Sequence, residues 1–187
     1  VTPETPWVPF IMGAAGREWF EAVDAVVDWH AFGVRIAQYS KSRFGRGARE
    51  YFRQGIAVAT IGQGFSARLH RFSSIVGHAG TSVFAQDSEL GLLLCQMNKS
   101  KARSDATDFN PKGFQICDIV RLPLNEESEW RSILDQVERA FGEHESHREP
   151  SVEYRRPGPS PWRHAQAWAQ IAVDRPEGAP LPEYVAE

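Results

Sequence analysis

The chain has 187 residues, enough for one domain that buries a core without disulfide or metal staples, and short for two. Apolar residues make up 42% and charged residues 24%, close to the average for soluble globular proteins, so a disordered class is excluded. A membrane-spanning class is excluded too, because no run approaches the ~20 apolar residues of a span.

The net charge is −3, yet the stretch from Arg35 to Arg71 carries eight Arg and Lys against one acid, Glu50. An acidic chain that gathers its positive charge in one place sets up a local field there. The start, VTPETPWVPFIMG, has neither the basic opening nor the apolar run of a secretory signal, so a cytoplasmic location is expected. Val1 fits a GTG start codon and, with it, a bacterial source. Cys95 and Cys117 lie in apolar runs with no Cys-x-x-Cys spacing, which suits buried thiols rather than a redox pair or a zinc site.

In chain order, Trp19, Phe20, Val23, Val26, Val27 and His30 recur at helical spacing and predict a helix over 14–31. Its other face would carry Glu18, Glu21, Asp24 and Asp28 in solvent, with Gly33 as the stop. Alternation from Val34 to Tyr39 predicts a short strand before the basic loop KSRFGRG. A turn of helix at 48–54 follows, then a hairpin whose strands run through Ile56–Thr60 and Phe65–Phe72 about Gly62-Gln63-Gly64.

Two apolar runs, Ser82–Ala85 and Leu90–Met97, flank the turn Gln86–Glu89. The second is apolar on both faces and reads as the central strand of a covered sheet. A polar loop is expected over 98–113, and another strand over Phe114–Leu122. The stripe Trp130, Ile133, Leu134, Val137 and Phe141 predicts a long amphipathic helix over 126–141, capped by Asn125 and closed by Gly142. Between Leu122 and Glu153 nine acids face three arginines, the opposite sign to the basic stretch. Ser160-Pro161-Trp162 opens a helix to about Val173, and the last dozen residues are expected to lie extended on the surface or to be mobile.

The element order predicts an α+β fold. It would have a mostly antiparallel sheet of about five or six strands, an N-terminal helix, the long helix near 126–141 and a short C-terminal helix. Residues 1–153 would form the single domain, and 154–187 an extension with a docking helix.

A surface for a phosphate backbone needs several cations within reach of successive phosphates, and flat rings nearby to stack on bases. Lys41, Arg43, Arg46, Arg49 and Arg53 interleave with Phe44 and Tyr51, and Arg68, His70 and Arg71 follow on the neighbouring strand. These ten residues are the candidate nucleic-acid-binding set. The competing reading is that the arginines pair with acids elsewhere, Glu126, Glu127 and Glu129 among them.

Phe44-Gly45-Arg46-Gly47 is not a phosphate loop of the Walker type, since no Gly-Lys-Ser or Gly-Lys-Thr follows, and it lacks the dinucleotide glycine pattern. His70, His78, Asp87 and Glu89 form the best hydrolytic set, but the expected acid-x-Lys signature is replaced by Gln96-Met97-Asn98-Lys99. His144 and His147 have no third ligand spaced nearby. No catalytic residue, metal or cofactor is therefore assigned. The sequence predicts a non-enzymatic nucleic-acid-binding module, with a metal-assisted phosphodiesterase or a partner of an acidic protein as alternatives.

Overall fold

A computed structural model describes residues 7–13, 17–39, 47–59, 65–77, 80–109 and 129–185. The fold is α+β. Its strands are β1 (Trp7–Ile11), β2 (Trp19–Phe20), β3 (Val26–Asp28), β4 (Ile56–Val58), β5 (Ala67–Leu69), β6 (Ile75–Val76) and β7 (Ser82–Val83). Its helices are α1 (His30–Gln38), α2 (Asp87–Asn98), α3 (Ser100–Phe109), α4 (Trp130–His147) and α5 (Trp162–Asp174).

The strands divide between two mixed sheets. One has the order β2-β5-β4-β7, with β4 antiparallel to both neighbours and β2 parallel to β5. The predicted hairpin is its centre, in the register Ile56↔Leu69 and Val58↔Ala67, and every residue of β4 and β5 is buried. The other sheet, β3-β1-β6, pairs β1 antiparallel to β3 and parallel to β6.

The main core lies between the larger sheet and α2, α4 and α5. Ile56, Val58, Ala67 and Trp19 meet Leu94, Ile133, Val137, Ala169 and Val173 there, each essentially inaccessible to water. At about 25 cal/mol per Å² of buried apolar surface, such side chains contribute roughly 1.5–3 kcal/mol each before conformational entropy is charged against them. A minor core of Val8, Trp29 and Ile75 lies under the smaller sheet, with Phe10, Val27, Ile36, Tyr51 and Phe52 packed around it.

Of the expected helix over 14–31, residues 14–16 lie outside the described residues, and β2 and β3, joined by irregular backbone at 21–25, stand in place of the rest up to Asp28. Trp19 takes a left-handed φ of 69°, which ends any right-handed helix there. Val23, Val26 and Val27 are β-branched and favour extended backbone. The four acids expected in solvent are counter-ions instead: Glu18 binds Arg103, Glu21 binds Arg68, Asp24 binds Arg17 and Arg148, and Asp28 binds Arg35.

Residues 34–38, expected as a strand, close α1 as helix. Its opening residues Ala31, Phe32 and Gly33 have left-handed φ of 50°, 59° and 76°. That conformation costs a non-glycine residue roughly 1–2 kcal/mol.

The predicted central strand at 90–97 is the helix α2, and the predicted turn at 86–89 is its first turn, where Asp87 and Glu89 complement the helix dipole. Leu90, Gly91, Leu94, Cys95, Gln96, Met97 and Asn98 are all buried. A helix covered on most sides shows no apolar stripe, so its run of apolar residues mimics a buried strand. The loop expected from 98 is helix α3 as far as Phe109; the predicted strand at 114–122 lies outside the described residues.

The long helix is present but runs Trp130–His147, passing through Gly142. Its stripe faces the core as predicted, with Ile133, Val137 and Phe141 buried. The C-terminal helix matches its predicted bounds within a residue. Beyond it the chain is docked, since Trp168 Nε1 donates to the Pro182 carbonyl at 3.0 Å and the Tyr184 ring lies edge-on to Trp168. Among the described residues no helix is long and apolar enough to cross a membrane.

Candidate nucleic-acid interface

Lys41, Arg43, Phe44 and Arg46 lie outside the described residues. The rest of the candidate set divides sharply by burial.

Arg49 sits on the 3-10 turn Ala48–Glu50, entered through Gly47 at a φ of 73° that favours glycine. Its side chain is 88% exposed and its Nε lies 3.0 Å from Glu50. Arg53 pairs with the same Glu50, reaches the Ala85 carbonyl at 3.3 Å and covers the Phe84 ring. Arg49 and Arg53 thus share one counter-ion and keep a net positive charge at the surface. Tyr51 is half-buried and meets Trp29 edge-on at 5.8 Å, so its ring helps to fix this turn to the minor core.

Arg68 is wholly inside. Its Nε donates to the Glu21 carboxylate, itself only 5% exposed, and its Nη1 and Nη2 approach Ser66 Oγ at 3.4 Å and the Met12 carbonyl at 3.5 Å. Burial pushes the Glu21 carboxyl above its usual range, and the guanidinium of Arg68 pulls it back.

His70 is 1% exposed, with Ser74 Oγ at 3.3 Å from Nδ1 and Ser82 Oγ at 3.2 Å from Nε2. Burial, aided by the charge of Arg68, lowers its pKa from 6.5 to about 4, so the imidazole is neutral at physiological pH. Arg71 packs against the faces of Phe141 and Phe72, at 4.9 and 5.5 Å, and pairs with Glu153. It ties the segment after α4 to the hairpin.

The hairpin arginines therefore bind the fold together, while Arg49 and Arg53 face solvent. Of the expected counter-ions Glu129 pairs with Arg175, and Glu126 and Glu127 lie outside the described residues; the described arginines of the basic stretch take Asp28, Glu21, Glu50 and Glu153. Arg35, which the sequence reasoning left out of the binding set, is another surface cation: 76% of its side chain is exposed and it bonds Asp28 at 3.1 Å.

Of the hydrolytic set, His70 is buried, Asp87 and Glu89 are exposed on the first turn of α2, and His78 is outside the described residues. Among the described residues no group of three or more His, Cys, Asp and Glu is placed to hold a metal ion. On α4, His147 Nδ1 donates to the Pro159 carbonyl at 2.6 Å and His144 Nδ1 lies 2.8 Å from Ser160 Oγ, so both histidines anchor the segment leading to α5. A cleft of about 280 Å³ opens beside them, walled by Phe20, Phe141 and Trp162 with Arg17 and Arg148 at its edge. Both arginines are neutralised by Asp24, and Arg148 also by Glu145.

No family model matches the chain. Over 127 residues, 63% of the chain, it is 28% identical to an adenine-specific methyltransferase, PglX, of Lacticaseibacillus casei (strain Zhang). The chain spans 11% of the length of that protein. Part of the chain is thus similar to a small part of a protein named for the methylation of adenine.

Proposed function

We propose that the chain is a cytoplasmic nucleic-acid-binding module, itself non-enzymatic, that holds nucleic acid through the basic segment from Lys41 to Arg53. The observation that supports a relation to nucleic acid is the partial similarity to a protein named an adenine-specific methyltransferase, adenine being a nucleic-acid base. The charge supports it: of the eight cations that the stretch sets against one acid in a chain of net −3, Arg68 and Arg71 are taken by Glu21 and Glu153, and the six that remain make a local positive field.

The buried pairs narrow the binding set. Arg68 and Arg71 hold the hairpin and the C-terminal segment in place, and Lys41, Arg43, Arg46, Arg49 and Arg53 supply the phosphate contacts. Such contacts release counter-ions, so affinity falls with salt. If four of them engage a single strand, a fourfold rise in salt lowers affinity by roughly 50-fold. Titration of labelled single- and double-stranded oligonucleotides at about 50 and 200 mM salt tests this. The expected result is binding with that steep dependence; flat titrations with every probe at low salt overturn the reading.

A further inference from the structure

Three residues other than glycine that adopt left-handed backbone carry large aromatic rings, and they use them differently. Trp19, at a φ of 69°, is fully buried in the main core. Phe52, at 65°, packs edge-on against Trp29 at 5.4 Å. In both, ring burial offsets the backbone strain. Phe32, at 59°, leaves 66% of its surface in water. Strain that core packing does not offset is a mark of sites kept for contact with something else.

The surroundings of Phe32 say what that contact is. Seven residues on, at the end of α1, Tyr39 is 63% exposed. Between them in sequence lies Arg35, its guanidinium exposed and held by Asp28, whose carboxylate also accepts from the His30 amide at 2.9 Å. Ile36 of α1 and Tyr51 and Phe52 beside the 3-10 turn pack into the same minor core, so this surface and Arg49 belong to one unit. Two exposed rings that flank an exposed guanidinium in sequence, at the head of the basic stretch, have the chemistry that holds unpaired bases: rings stack on bases while cations meet the phosphates. In a duplex the bases stack on one another and are closed to such rings.

We propose that Phe32 and Tyr39 are stacking groups for unpaired bases, so that the chain prefers single-stranded or locally opened nucleic acid to intact duplex. This rests on the nucleic-acid reading above and adds to it the form of the polymer and two residues that read it.

The test compares a fluorescent DNA oligonucleotide of about 16 nucleotides with its duplex, by anisotropy at low salt. Phe32→Gly is the most useful variant, because it removes the ring and relieves the left-handed strain together. Its thermal midpoint should equal or exceed that of the parent, which separates loss of binding from loss of folding. Phe32→Gly and Tyr39→Ala are each expected to lower single-strand affinity by roughly 5- to 100-fold while duplex affinity stays within about twofold. Phe32→Trp should retain single-strand affinity. Binding that persists in the parent with no single-strand preference, or that is unchanged in Phe32→Gly, overturns the stacking inference and leaves the module reading standing. Failure of the parent to bind either probe overturns both.

Discussion

His70 makes the stability of this protein depend on pH in a direction and amount that follow from its burial. In the unfolded chain its pKa is near 6.5; in the fold burial lowers it to about 4. Between these values the unfolded state binds a proton that the folded state refuses, so stability is present above pH 6.5 and is lost as pH falls toward 4. At about pH 5 the unfolded imidazole is charged and the folded one still neutral, which amounts to roughly 2 kcal/mol lost relative to pH 7.5. The charge has nowhere to go inside, because Ser74, Ser82, Phe84 and Arg68 surround the ring. Urea denaturation of the parent and of His70→Gln at about pH 7.5 and pH 5 isolates this contribution, since Gln keeps hydrogen-bonding capacity without titrating. The variant is expected to be less stable at the higher pH and to show a pH dependence smaller by about 2 kcal/mol. Equal pH dependence in the two proteins would refute the reasoning, since His144, lowered by burial in the same sense, is common to both.

Two further changes test the packing around the candidate interface. Arg68→Met leaves Glu21 buried without its cation and should cost roughly 3–5 kcal/mol by urea denaturation, while the double variant with Glu21→Gln recovers a large part; strict additivity would show that the pair does not act as a unit. In α2, a Cβ at Gly91 would collide with the Trp130 ring and come within 2.7 Å of Leu134. Gly91→Ala is therefore expected to lower the thermal midpoint, overpacking of roughly 1–3 kcal/mol exceeding the ~1 kcal/mol gained in helix propensity, and a raised midpoint would contradict the packing described.

The parts of the fold legible in the sequence are those where burial is one-sided. Helix α4 exposes one face and buries the stripe Ile133, Val137, Phe141, so periodicity finds it. Helix α5 announces itself through Ser160, whose Oγ accepts from the Trp162 amide at 3.2 Å, and the hairpin through its alternation and glycines. Helix α2 was not legible because the core wraps it. The 19–30 spacing misled because side-chain period says nothing about a residue such as Trp19 in left-handed backbone.

The site divides in the same way. The concentration of charge could be read directly, but which arginines leave the surface could not. Arg68 and Arg71 find their acids 47 and 82 residues away in sequence, at distances only the folded topology closes.

The most direct test of the account removes the charge that defines it. A variant with Lys41, Arg43, Arg46 and Arg49 each changed to Gln is compared with a control in which the exposed Arg139, Arg155, Arg156 and Arg163 are changed likewise, so that net charge falls equally. Affinity for a single-stranded oligonucleotide is measured across salt. The account predicts that the first variant loses affinity and that its salt slope falls by about 3, the contribution of four phosphate contacts, while the control keeps the parent slope. Equal slopes in the parent and the first variant, or the same loss in the control, would contradict it.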